Sequence, residues 1–130
     1  MLRTGRRHLE FAKSAQKDVK ALKKAGVWGR VKAALERDLE PVELPKNRDV
    51  KVLVGYSPWY RLRVGSYRII YRELTSEEIT AITKRVDAEP KTGYVVKRIV
   101  HRKELHEAAE KLGLIAQEQT TLRLRRRDVG

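Results

Sequence analysis

The sequence has no cysteine in its 130 residues. That excludes disulfides, thiolate metal sites and thiol nucleophiles. Histidine is scarce too, with only His8, His101 and His106. A His-rich metal site is not expected, and no cofactor is read. No run of about 18 apolar residues occurs, so no membrane span is expected. The N-terminal MLRTGRRHLEF is basic, but no apolar core region or small-residue cleavage site follows it. No secretory signal is read. Acidic residues are under-represented: 17 Asp and Glu stand against 30 Lys and Arg, which leaves a net charge of +13.

That imbalance points to a polyanionic partner. Nucleic acid comes first and a membrane surface second, and an acidic protein partner is compatible with either. The bland alternative is a solubilising surface, but 36% charged residues would supply solubility with a smaller imbalance. At this length, with 41% hydrophobic residues, the chain suits one small domain with a core.

The pattern along the chain gives the elements. Residues 7–11 alternate weakly, as a short edge strand does. Ser14 is a candidate N-cap, after which Ala15, Val19 and Leu22 fall at helical spacing. Gly26 is a stop signal. A second helix is expected from Val27 to Leu39, with Trp28, Val31, Ala34, Leu35 and Leu39 on one stripe. Pro41 and Pro45 end it. Residues 44–58 read as irregular, with one short apolar run. Trp28 and Trp59 have apolar neighbours and read as packing residues.

The strongest strand signal is WYRLRVGSYRIIYR, from Trp59. Gly65 and Ser66 form a Gly-first two-residue turn. The register then places Val64 opposite Tyr67, Arg63 opposite Arg68 and Arg61 opposite Ile70. Tyr60, Leu62, Val64, Tyr67, Ile69 and Tyr71 make a core face, while Arg61, Arg63, Arg68 and Arg72 lie on the other. Residues 75–93 are ambiguous. Thr75 with Glu78 fits a capping box, and Ile79, Ile82 and Val86 fit a helix, yet the β-branched content fits a strand equally well. Pro90 and Gly93 mark a loop. Residues 94–100 form a strand, and a short helix runs from Lys103 to a stop at Gly113. The tail over 114–130 is basic and reads as mobile. The class is α+β: a strand, a helical hairpin, a small antiparallel sheet with the helices to one side, and a C-terminal helix.

Like charges directly opposite one another on a sheet cost roughly 0.2–1 kcal/mol. One reading of the arginine face is a solvated surface whose side chains splay apart or pair with carboxylates. The other is an anion site, because guanidinium forks bind phosphate in two-pronged fashion. His101, beside Arg102 at a strand end, and His106 are candidate acid–base groups.

The segments GYSPWYRLRVGSYRIIYRE and VVKRIVHRKELHEAA resemble the RelE/ParE superfamily of toxins from type II toxin–antitoxin systems, and the RelE branch most. The likeness covers nearly the whole chain and implies a single toxin domain over 1–130 with the RelE-like fold. It implies metal-independent cleavage of mRNA in the ribosomal A site, with attack by the 2′-hydroxyl on the adjacent phosphate. The implied partners are mRNA on the ribosome with contacts to rRNA, a cognate antitoxin, and DNA only through that antitoxin, in the cytoplasm. By motif position, Arg61, Arg63, Arg68, Arg102, His101 and His106 take the catalytic places. Arg61, Arg63, Arg68, Arg72 and Arg102 are expected to bind RNA. Two departures stand out. Arg61 replaces a lysine that serves some members as a possible base, and arginine stays protonated. Residues 75–92 are longer than the usual link, an insert for ribosome docking, antitoxin contact or an extra hairpin. The alternatives are a ParE-like gyrase poison without RNase activity and an inactive antitoxin-binding relative.

Overall fold

The computed structural model describes residues 6–41, 43–86 and 92–112. Strand β1 (His8–Phe11) leads into helices α1 (Lys13–Lys24) and α2 (Trp28–Asp38). Strands β2 (Val50–Val52), β3 (Tyr60–Val64) and β4 (Tyr67–Glu73) follow, then helix α3 (Ser76–Val86) and strand β5 (Gly93–His101). A 3-10 turn over Arg102–Glu104 runs into a helix described over 105–112, α4. The α+β class holds.

The sheet order is β1-β5-β4-β3-β2. β1 lies at an edge, as expected, but parallel to β5, so the sheet is mixed. A parallel pair needs a long crossover, and everything from α1 to α3 intervenes here. At the crossing of β1 and β5 the backbones come so close that a Cβ on Gly93 would collide with the His8 carbonyl and sit 2.8 Å from Leu74 Cδ1.

The hairpin register is the one the turn dictates. Val64 faces Tyr67, Arg63 faces Arg68 and Arg61 faces Ile70. Gly65 takes φ +56°, the left-handed region a residue without Cβ enters freely. The core face packs under the helical hairpin, where Leu62, Ile69 and Val96 meet Val31, Leu35 and Leu39, all nearly inaccessible to water. Each such side chain contributes on the order of 1.5–3 kcal/mol. Trp28 packs against the same cluster.

Several expectations are corrected. The helices do not keep to one side of the sheet. Alternation along β4 and β5 puts Ile70 and Val100 on the arginine face, where Ala108 and Leu112 of α4 cover them together with Trp59. α3 packs Ile79 and Ile82 on Leu74 and Val95. Ser14 is not an N-cap. Ala12 holds that position without a side-chain bond, and Ser14 Oγ donates to the Lys97 carbonyl at 2.7 Å. Residues 44–58 contain strand β2, which pairs with β3. Residues 76–86 are helix, which removes the strand and extra-hairpin readings. The capping box is in place: Thr75 N donates to Glu78 Oε1 at 2.9 Å and Glu78 N to Thr75 Oγ1 at 3.1 Å. The expected Pro90 loop, the stop at Gly113 and the tail over 114–130 lie outside the described residues.

Candidate anion-binding face

Two neighbouring strands and one strand end bring the cations together. β3 carries Arg61 and Arg63, and β4 carries Arg68 directly across from Arg63. Arg102 begins the turn after β5, and its backbone N–H donates to the Ser66 carbonyl at 2.7 Å. That bond ties the end of β5 to the hairpin tip. β2 adds Lys51, directly opposite Arg61.

Among the described residues, one carboxylate pairs with this group. Asp49 Oδ1 accepts from Arg61 Nη1 at 3.1 Å, and Asp49 Oδ2 lies 3.7 Å from Arg63 Nη1. The hydrogen bond from Arg61, followed by the charges of Arg61, Arg63 and Lys51, holds Asp49 below the ordinary carboxylate range. Arg68 has no carboxylate within ion-pair distance among the described residues. Its Nη1 donates to the carbonyls of Gly65 and Tyr67, each at 2.9 Å. Burial, then the charges of Arg63, Arg61 and Arg102, lowers the Arg68 pKa against the opposing pull of Asp49. A guanidinium stays charged regardless, so the cost of crowding is retained as attraction for an anion. The Arg61 side chain is only 14% exposed and Arg63 is 55% exposed. Arg61 is thus fixed at the base of the group and Arg63 opens to solvent.

The structure brings Arg61, Arg63 and Arg102 within electrostatic reach of Arg68. It does not join Arg72, His101 or His106 to them in the same way. Arg72 donates Nη1 and Nη2 to the two Glu78 oxygens at 2.7 and 2.9 Å and lies 5.5 Å from the Trp59 ring centroid. His101 pairs with Tyr67 in the ladder, on the core-face side of that strand, and meets its ring edge-on at 5.8 Å. Its Nδ1 accepts from Lys103 N at 3.2 Å, capping the 3-10 turn. His106 is exposed and pairs with Glu110 at 2.9 Å. Sequence reading missed Asp49 and Lys51. Lys51 belongs to β2 and Asp49 directly precedes it, and the three residues of that strand carry a period-2 signal too short to notice.

On the other side of the molecule, α1, α2 and β1 enclose an open groove of about 430 Å³. Phe11, Val19 and Trp28 line it, with Lys20, Lys23 and Glu10.

Comparison with known proteins follows the same lines. The family described as ParE toxin of type II toxin-antitoxin system, parDE, matches residues 9–106. No curated protein matches the sequence. Among solved structures, the crystal structure of the RelB-RelE antitoxin-toxin complex from Methanococcus jannaschii is similar at 22% identity and a TM-score of 0.43. The match covers 76% of this chain and 96% of that one. The family match spans both strands of the arginine hairpin, the parallel edge and the start of α4. The chain belongs to the ParE toxin family of type II toxin–antitoxin systems, within the RelE/ParE superfamily.

Proposed function

We propose that this toxin arrests growth by cleaving mRNA on the ribosome, with Arg61, Arg63, Arg68 and Arg102 holding the scissile phosphate. The observation that carries this reading is the gathering of Arg61, Arg63 and Arg102 around Arg68 at the tip of the hairpin, with Asp49 pairing only Arg61 and Arg63. In the reaction a 2′-oxygen forms a bond to the adjacent phosphorus and the bond from phosphorus to the 5′-oxygen breaks. The 2′-proton leaves to a base, and the departing 5′-oxygen takes one up. The products are a 2′,3′-cyclic phosphate and a 5′-hydroxyl. Negative charge grows on the phosphoryl oxygens at the transition state, and fixed guanidinium donors stabilise that charge more than the ground state.

Among the described residues, the arginine group is poorly supplied with a base, and His106 is paired with Glu110 on α4. Arginine does not give up its proton. Asp49 is held low by Arg61, and the His101 Nδ1 is engaged by Lys103. This supports a division of labour in which the toxin grips and polarises the phosphate, and the ribosome orients the RNA and supplies proton transfer. Arg68→Ala tests it. The variant should lose growth arrest while still binding the antitoxin. Continued arrest by Arg68→Ala would contradict the assignment.

A second reading, poisoning of DNA gyrase without RNA cleavage, is favoured by the ParE description of the matching family. It predicts trapped DNA cleavage complexes and intact mRNA in arrested cells. Under either reading the partner in the resting cell is a cognate antitoxin. An acidic, amphipathic antitoxin segment suits the groove between α1, α2 and β1, with Phe11, Val19 and Trp28 as apolar floor and Lys20 and Lys23 as rim.

A further inference from the structure

The arginine face holds a fourth arginine on its strands that the phosphate-binding group does not use. Arg68 and Arg72 share one face of β4, four residues and so about 13 Å apart. Between them Ile70 is sealed beneath α4 and Trp59. Beyond Ile70, both terminal nitrogens of Arg72 are occupied by Glu78, and its guanidinium sits near the Trp59 ring. Glu78 is itself fixed, because its Oε1 also accepts from Thr75 N in the capping box that starts α3. The end-on edge of the fork is thereby taken, Nη1 also donates to the Glu73 carbonyl at 3.1 Å, and the carboxylate offsets the charge that would draw a second oxyanion.

We propose that Glu78 is a specificity-determining residue: it fills a latent phosphate subsite at Arg72 and so ends the RNA-binding strip at the hairpin tip. The inference rests on the reading of the arginine face as an RNA-binding surface. It gives α3 a task of its own. The helix delivers a carboxylate, positioned by its own N-terminal cap, to the one strand arginine that would otherwise lengthen the strip. On this proposal Arg72, expected to bind RNA, makes instead an intramolecular contact that mimics one.

The test is the salt dependence of binding to a short single-stranded RNA bearing 2′-O-methyl groups, which cannot be cleaved. Each phosphate neutralised adds roughly 0.7 to the magnitude of the slope of log affinity against log salt for a single strand. Arg72→Gln should leave the slope of the wild-type protein unchanged. Glu78→Gln keeps a side chain able to cap α3 and frees Arg72, so its slope should steepen by about 0.7. The double variant Arg72→Gln, Glu78→Gln should return to the wild-type slope. The proposal is overturned if Arg72→Gln alone flattens the slope, if Glu78→Gln leaves it unchanged, or if the double variant stays steep. Arg68→Ala separates this from the reading beneath it. If Arg68→Ala leaves the slope intact while Glu78→Gln steepens it, Arg68 is not a phosphate ligand and the gating by Glu78 still holds.

Discussion

Glu78 has the largest displacement among the acidic groups described here. The fork of Arg72 first, then the Thr75 backbone, lowers its pKa from 4.5 to about 2 in spite of its partial burial. The sign of the consequence is fixed. A carboxylate whose folded-state pKa is depressed contributes stability above its unfolded value, and that contribution is lost as pH falls through the folded value. The Arg72–Glu78 pair therefore stabilises the fold fully above pH 4.5 and stops doing so near pH 2. The pair is partly exposed, so its worth is on the order of 1 kcal/mol. Thermal melts of wild type and Glu78→Gln should differ near neutral pH and converge as pH falls from 4.5 towards 2. A gap that stays constant across that range would mean the pair contributes through shape and not through charge.

Elements were legible in the sequence where local chemistry and tertiary pairing agreed. In the central hairpin, one glycine turn and strict alternation gave the register residue by residue. α1 and α2 were equally legible from their apolar stripes. α3 was not, because Ile79, Thr80, Ile82 and Thr83 favour either state; the Thr75–Glu78 cap and packing on Leu74 and Val95 decide for helix. β2 was unreadable because three residues acquire strand character only through the partner β3. Asp49 entered the candidate site with it. The anchoring of α1 was hidden for a related reason. Asp18 Oδ2 accepts from Arg98 Nε and from the Ile99 backbone N–H, both at 2.8 Å, where the β4–β5 register shifts. Asp18→Ala leaves a part-buried N–H and a guanidinium unpaired, and should cost about 1–3 kcal/mol in denaturant unfolding. A change below a few tenths of that would show that water replaces the carboxylate. On the groove rim, the double variant Lys20→Glu, Lys23→Glu should weaken antitoxin binding at least tenfold and leave the melting temperature nearly unchanged. Undiminished binding would move the antitoxin to another face.

Across the whole molecule the net charge is +13, and the described residues show two separate basic surfaces. The sheet face presents guanidinium forks suited to phosphate, and the far side presents lysines around an apolar groove. On the proposed reading, this division suits a toxin that meets an RNA on one surface and an acidic antitoxin segment on the other. Arg63 and Arg68 oppose one another across the hairpin and fold against their own repulsion, which on the same reading a bound phosphate relieves. Primer extension on a defined mRNA, with purified protein and with or without translating ribosomes, tests that account most directly. The arginine-face reading predicts cuts only in the presence of ribosomes, at in-frame positions, and none with Arg68→Ala. Intact mRNA in both lanes, from a preparation that still arrests growth, would contradict it and leave gyrase as the target.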